Sequence, residues 1–187
     1  PAYNEEMRLP PTLSSVTDFV AANPRWQPAE ILVVDDGSTD GTAVAARARP
    51  AGDRVTVQLV SHETNLGKGA AVRSGFLASR GRWVLLSDAD LSAPIEELDS
   101  LAVHAAGGAV AVGSRAVDRR LISVPQPHHR DLMGRTFNLV LRTLGLTELH
   151  DTQCGFKLFP GDLARSLASA QQVAGFAYDV ELLLLAA

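Results

Sequence analysis

Asp88 and Asp90, separated by one small residue, follow an apolar stretch that runs from Trp83 to Leu86. The stretch has the length and composition of a buried β-strand. In open α/β sheets, ligands bind at the carboxyl ends of the strands. Carboxylates placed there suit Mg²⁺ or Mn²⁺ ions that also hold phosphates. The pattern predicts a metal–phosphate site; the alternative is a solvated turn in which Asp90 or Ser92 caps the next helix.

Two other segments carry groups that can bind a ligand. Asp35 and Asp36 end the apolar run 30–34. Both can be turn residues that bond their own backbone. Asp36 can instead accept hydrogen bonds from a base edge or a ribose hydroxyl. Spacing alone leaves both interpretations open. Residues 67–69, Gly-Lys-Gly, put Lys68 at a predicted helix start, where free N–H groups favour anions. A glycine-rich tight turn is the alternative.

Six arginines lie between residues 115 and 142, with only Asp118 and Asp131 as local acids. A solvated helix face is the usual explanation of such a run, and the composition alone favours it. RNA binding is disfavoured by the scarcity of interleaved aromatic residues. A phosphorylated substrate at a membrane surface is the third interpretation. The arginines are Arg115, Arg119, Arg120, Arg130, Arg135 and Arg142.

The remaining candidate groups have ordinary structural explanations. Asp151, Asp179 and Glu181 stand beside apolar sequence, which is more typical of caps and salt-bridge partners than of catalytic acids. Cys154 is the single cysteine, so an internal disulfide is excluded and a reducing compartment is indicated. We expect Cys154 to be a small packing residue.

Bulk composition indicates one soluble, globular domain. The 187 residues suffice for a single core, and 46% hydrophobic residues exclude a disordered chain. The net charge of −4 gives no general attraction to nucleic acid. Both ends look trimmed, so we expect residues 1–187 to be one domain from a longer chain.

Strand-like and helix-like segments alternate, which indicates βαβ units and a mostly parallel, helix-flanked sheet. Two prolines in 124–129 predict an irregular segment. The predicted strands are 30–34, 55–60, 83–87, 109–112 and a stretch within 151–159. The predicted helices are about 12–22, an Ala-rich one after residue 41, 69–79, 95–105, 131–144, 161–169 and one from about 176.

Together these motifs resemble the inverting, nucleotide-sugar-dependent glycosyltransferases of family 2, which have the GT-A fold. The similarity covers nearly the whole chain, and residues 151–159 and 177–183 are most similar to the dolichyl-phosphate β-glucosyltransferase branch and its polyprenyl-phosphate sugar synthase neighbours. The motifs that carry it are Pro-Ala-Tyr-Asn-Glu at 1–5, Val-Asp-Asp-Gly-Ser-Thr-Asp-Gly-Thr at 34–42, Asn-Leu-Gly-Lys-Gly at 65–69, Asp-Ala-Asp at 88–90 and Gly-Ser-Arg at 113–115.

The resemblance implies a role for each matching position. Tyr3 would stack on the base, Asp36 would hold the base or ribose, and Asp90 would ligate the metal that bridges the diphosphate, with Asp88 beside it. Arg115 and some of the later arginines would meet acceptor or donor phosphates. The nucleotide-sugar set would be Pro1, Tyr3, Glu5, Asp36, Lys68, Asp88, Ala89 and Asp90, and the acceptor-phosphate set Arg130, Arg135 and Arg142.

Asp151 occupies the position of the family's candidate catalytic base. A phosphate monoester has a second pKa near 6, so a lipid phosphate is already an oxyanion nucleophile at neutral pH. The demanding step is departure of the nucleoside diphosphate, which the metal and nearby cations assist. We therefore expect Asp90 to matter more than Asp151.

The implied activity is transfer of glucose from UDP-glucose to a polyprenyl or dolichyl phosphate, with inversion, by a protein peripheral to the cytoplasmic face of a membrane. Alternatives keep the fold but use GDP-mannose or a polysaccharide acceptor. An NAD-binding oxidoreductase is a distant alternative, because the loop containing Gly67 and Gly69 lacks a third glycine at the required spacing. A non-catalytic binding module is the remaining hypothesis.

Overall fold

A computed structural model describes residues 1–48, 54–91, 93–113 and 154–186. The helices are α1 (Leu9–Ala22), α2 (Thr42–Arg47), α3 (Lys68–Ala78), α4 (Glu97–His104), α5 (Gly161–Ala170) and α6 (Tyr178–Ala186), with a 3₁₀ turn at Pro24–Trp26. The strands are β1 (Ala29–Asp35), β2 (Val55–Ser61), β3 (Trp83–Ser87), β4 (Ala111–Val112) and β5 (Phe156–Pro160).

Strands β1 and β2 pair in parallel, with Ala29 opposite Val55 and Asp35 opposite Ser61. Ala2 extends this ladder through a parallel bridge to Asp35. The first residues of the chain therefore lie beside the carboxyl end of β1. This is the edge where the sequence predicts ligand binding.

Strand β5 lies between β3 and β4 and runs antiparallel to both. The α/β fold class is confirmed, and β1 and β2 pair in parallel, whereas the sequence pattern did not specify the direction of β5. The βαβ rule applies to strands joined by one helical crossover. Residues 113–155 separate β4 from β5, so that rule gave no information on the direction of β5.

The side chains of β5 alternate between two clusters of buried residues, as the pleat of a strand requires. Phe156 and Leu158 join a cluster with residues of α4 and β4. Phe159 joins a second cluster with residues of α3, α5 and α6, and its ring meets that of Phe76 edge-on at 5.0 Å between centroids. Lys157 lies two residues before Phe159 and therefore on the same face of β5. It is completely buried, so a charged group lies inside the core.

Element boundaries differ modestly from the sequence predictions. Helix α1 begins at Leu9 rather than near Thr12, and its first turn contains Pro10 and Pro11. Proline suits this position because the first N–H groups of a helix have no intrahelical acceptor. Strand β3 has the predicted bounds, and α4 begins at Glu97, two residues later than predicted.

Some predictions lie outside the described residues: the irregular segment 124–129, the helix 131–144 and the start of the segment 151–159. In the part of the chain that is described, no helix combines the length and apolar character needed to cross a bilayer.

Candidate active site

The Asp88–Asp90 segment forms a tight turn at the carboxyl end of β3. The Leu91 N–H donates to the Asp88 carbonyl at 3.2 Å, and Leu91 has a φ of 46°. Such a φ is uncommon for a branched residue and is found in turns and functional sites. The Thr12 hydroxyl donates to the Ala89 carbonyl at 2.7 Å, which fixes the turn to α1. Helix α4 begins only at Glu97, so the alternative in which Asp90 caps it is wrong.

Lys68 and Asp88 form an ion pair across this edge of the fold. Lys68 Nζ lies 2.7 Å from Asp88 Oδ1, and each side chain is about one quarter exposed. Asp88 Oδ1 is buried, and apart from this ion pair no hydrogen bond reaches it from the described residues. The structure thus brings together the Gly-Lys-Gly and Asp-Ala-Asp motifs.

Arg8 connects Glu5 with Asp90. Its guanidinium donates to Glu5 Oε1 at 2.9 Å and lies 2.6 Å from Glu5 Oε2. The same group reaches Asp90 Oδ2 at 3.8 Å. Burial raises the pKa of Glu5, while Arg8 works in the opposite direction. Sequence reasoning missed Arg8, although its spacing of three residues from Glu5 at the start of a helix was a usable signal.

The site has part of a donor set for a divalent cation. Among the described residues, no three His, Cys, Asp or Glu side chains gather in metal-binding geometry. Mg²⁺, however, is commonly held by one or two carboxylates while waters and substrate phosphates supply the other oxygens. Asp88 Oδ1, buried without a hydrogen-bond donor, and the half-exposed carboxylate of Asp90 fit that arrangement.

Asp36 holds the loop that precedes Lys68. Its carboxylate is buried and accepts hydrogen bonds from the N–H groups of Leu66, at 3.0 Å, and Gly67, at 2.8 Å. His62 Nδ1 lies 2.7 Å from the same carboxylate, and His62 Nε2 lies 2.9 Å from the Ser74 hydroxyl. The contribution of Asp36 to base or ribose binding stays a prediction. Its carboxylate bonds backbone that is distant in sequence, whereas Asp35 Oδ1 accepts the Ser38 N–H at 3.1 Å, as expected of a turn residue.

The first residues of the chain are bonded to the loop after β1. The Asn4 N–H donates to the Ser38 hydroxyl at 2.9 Å, and Asn4 Oδ1 accepts from the Thr39 N–H at 2.9 Å. The Glu5 N–H donates to the Thr42 hydroxyl at 2.7 Å. Tyr3 is 46% exposed, which leaves its ring accessible to a planar ligand.

The start of α2 is capped from the residue before its N-cap position. Gly41 holds the N-cap position, but Asp40 Oδ1 accepts the Thr42 N–H at 3.0 Å and so supplies the capping bond. Glu6 Oε2 accepts the Gly41 N–H at 2.8 Å. Acidic groups in the loops thus satisfy backbone donors at this helix start.

A buried ion pair lies at the start of α6. Lys157 and Asp179 are in contact, with their side chains 1% and 6% exposed. Burial raises the pKa of Asp179, and the ammonium of Lys157 opposes that shift. Burial also raises the pKa of Tyr178, and the carboxylates of Asp179 and Asp88 add to this. The expectation that Asp179 is a salt-bridge partner is confirmed.

Glu181 and Cys154 also have the structural roles that the sequence favoured. Glu181 accepts the N–H groups of Gln172 and Val173, both at 2.9 Å, and so stabilises the loop before α6. Cys154 is buried in the cluster that includes Phe156. The predicted residues Arg115, Arg130, Arg135, Arg142 and Asp151 lie outside the described residues.

The glycosyl transferase family 2 model matches residues 1–167. Two curated relatives are dolichyl-phosphate beta-glucosyltransferases, from Drosophila melanogaster, at 36% identity, and from Homo sapiens, at 34%. The matches cover 100% of this chain but 60% and 61% of those proteins. The chain therefore spans about three fifths of the length of these relatives.

Solved structures share the fold. Glucosyl-3-phosphoglycerate synthase from Mycobacterium tuberculosis, in complex with UDP, aligns with a TM-score of 0.66 and 24% identity, over 98% of this chain and 61% of that one. The same enzyme in complex with Mn²⁺ and UDP-glucose aligns with a TM-score of 0.67 and 23% identity, over 98% and 61%. At such identities the likeness establishes the fold alone. With the family model matching most of its residues, this chain belongs to glycosyl transferase family 2.

Proposed function

We propose that the protein transfers glucose from UDP-glucose to dolichyl phosphate or a related polyprenyl phosphate. The family membership and the dolichyl-phosphate beta-glucosyltransferase relatives support this activity. The structural observation that carries it is the pairing of Lys68 with Asp88 at the carboxyl end of β3. The ammonium can pair with a diphosphate oxygen, and the carboxylate can bind the divalent cation that accompanies the diphosphate.

The reaction is a single displacement. An oxygen of the acceptor phosphate attacks the anomeric carbon of glucose, the bond from that carbon to the diphosphate oxygen breaks, and UDP leaves with the electron pair. The sugar is thereby inverted. Because the acceptor phosphate is already ionised at neutral pH, no proton has to be removed from the nucleophile.

The described residues supply the donor side of this reaction. Lys68 can pair with a diphosphate oxygen, Tyr3 offers an exposed ring for the base, and Arg8 holds Glu5 and Asp90 together. Asp90 and Asp88 would hold Mg²⁺ or Mn²⁺, which when bound neutralises charge on the departing diphosphate. Mn²⁺ together with UDP-glucose in a structure of the same fold supports this choice.

The acceptor side is proposed from the sequence. Arg115, Arg130, Arg135 and Arg142 would attract the lipid phosphate and anionic headgroups, and Asp151 would lie near the acceptor. Names of relatives that act with dolichyl phosphate support a peripheral location at a membrane surface, which we place at the cytoplasmic face.

Labelled sugar transfer tests this proposal. The protein is incubated with Mn²⁺, a short polyprenyl phosphate and either UDP-glucose or GDP-mannose, each radiolabelled in the sugar. We expect label in the lipid fraction from UDP-glucose only. Transfer from GDP-mannose only would identify GDP-mannose as the donor. If a folded protein binds neither nucleotide and transfers sugar from neither donor, the proposal is contradicted.

A thermal-shift titration separates the donors without an acceptor. UDP with Mn²⁺ should raise Tm in a concentration-dependent manner, because a ligand that binds only the folded state stabilises it by mass action. GDP with Mn²⁺ should have a smaller effect. The reverse order would favour the GDP-mannose alternative.

A further inference from the structure

Gly155 lies directly against the carboxylate of Asp88. A Cβ atom added at Gly155 would overlap Asp88 Oδ2 and Cγ, and would lie 2.8 Å from Oδ1. The three nearest atoms all belong to that one carboxylate, and Gly155 is buried. Any side chain at position 155 would therefore have to displace Asp88 or the backbone that carries it.

Strand pairing explains this contact. Strands β3 and β5 are antiparallel, and their last pair at this end is Ser87 with Phe156. One step further along the same register places Asp88 opposite Gly155. Opposed residues of an antiparallel pair have Cβ atoms about 4.5–5.5 Å apart, close enough for direct side-chain contact. The carboxylate of Asp88 occupies the volume that a side chain at 155 would need.

Lys157 fixes the backbone next to Gly155. Its ammonium donates to the Cys154 carbonyl at 2.6 Å and pairs with Asp179, which belongs to α6. Lys157 is fully buried, so both contacts are shielded from water and ordered by the core. The buried Lys157 ammonium thus holds the Cys154–Gly155 backbone that contacts Asp88.

We propose that Gly155 and Lys157 are positioning residues for Asp88, in which Lys157 holds the Cys154–Gly155 backbone and Gly155 leaves the space that the Asp88 carboxylate fills. The effect of this packing on metal and nucleotide binding rests on the proposed function, whereas the packing itself is independent of it. Neither residue touches the reacting atoms in this proposal.

A double-variant cycle tests the packing. Gly155→Ala, Asp88→Ala and the combined variant are compared by thermal unfolding without ligand. We expect Gly155→Ala to lower Tm by about 4 °C or more. In the Asp88→Ala background, where the carboxylate is absent, the same change should leave Tm nearly unaltered. Gly175→Ala is the matched control, since a Cβ there meets nothing within 4 Å.

Mn²⁺ affinity tests the positioning. Mn²⁺ binding in the presence of UDP is followed by the electron paramagnetic resonance signal of the free ion. Gly155→Ala should raise the Mn²⁺ Kd at least about tenfold, while Gly175→Ala should not change it. Lys157→Met should also raise this Kd, and Lys157→Arg should restore part of the affinity.

The outcomes are separable. An equal Tm loss from Gly155→Ala with and without the Asp88 carboxylate, or wild-type Mn²⁺ affinity in Gly155→Ala, overturns the proposal. If Gly155→Ala alone does not fold, a folded double variant supports the proposal and an unfolded one contradicts it. Absence of Mn²⁺–UDP binding in the wild-type protein counts against the proposed function, and the Tm cycle still decides the packing.

Discussion

The carboxylate of Asp36 accepts the N–H of Gly67 at 2.8 Å and so joins the end of β1 to the residue that precedes Lys68. Gly67 has a φ of 102°, and a Cβ there would lie 2.6 Å from the Ala174 carbonyl. The position of Lys68 is therefore set on one side by a buried acid and on the other by the loop before α6.

Asp36→Ala is expected to destabilise the protein without any ligand. Two backbone N–H groups would lose their acceptor, and a buried donor left without a partner costs about 1–3 kcal/mol. Urea unfolding measures the loss, with the exposed Asp18→Ala as control. Unchanged stability with weaker UDP binding would instead identify Asp36 as a ligand contact without a structural role.

Lys68→Met is expected to weaken UDP binding by about tenfold while changing the stability of the free protein by less than about 1 kcal/mol. The Lys68–Asp88 pair is partly exposed, and such pairs contribute little to folding. A diphosphate would lose a direct cation partner. Isothermal titration with UDP and Mn²⁺ measures the affinity, and Arg25→Met, which removes an exposed arginine, serves as control. Wild-type affinity in Lys68→Met would contradict the assignment.

Asp90→Asn is expected to lower kcat for glucose transfer more than Asp151→Asn does. Loss of a group that stabilises the departing charge costs on the order of a hundredfold or more. With an acceptor that is already ionised, kcat should fall by less than about tenfold when a base is removed. Initial rates at saturating substrate measure both variants, after circular dichroism has shown that they fold. The opposite order would mean that the acceptor needs a base.

Lys157→Met is expected to destabilise the fold by about 3–5 kcal/mol, because the buried Asp179 carboxylate loses its cation and must either stay charged in the core or take up a proton. Combining Lys157→Met with Asp179→Leu should recover much of this loss, since replacing both members of a buried pair is often nearly neutral. Urea unfolding of the wild type, Lys157→Met, Asp179→Leu and the double variant gives the coupling. Additive losses would show that the pair contributes no interaction of its own.

Local sequence was enough to predict most elements of this fold. The strand 83–87 was found with its bounds, because the apolar run ends in a cluster of charged residues. The start of α1 was missed because prolines normally end helices, whereas in the first turn they cost nothing. The direction of β5 required tertiary information that no local pattern contains.

The candidate site was predicted in outline. Lys68 and Asp88 both belong to the predicted nucleotide-sugar set, and the structure places them in contact, although the sequence did not predict that they pair with each other. The contact of Gly155 with Asp88 was not foreseen, since it depends on the register of two strands that are far apart in the chain. The partners of Asp36 and Arg8 could not be predicted for the same reason, because tertiary packing decides which groups a charged side chain contacts.

The bonds from Asn4 and Glu5 to Ser38, Thr39 and Thr42 tie the segment beside Tyr3 to the loop after β1. A uridine base would meet a rim that is already ordered, so little conformational entropy should be lost on this side when it binds. Recognition of the base should then resemble a rigid fit, with a small heat-capacity change and fast association.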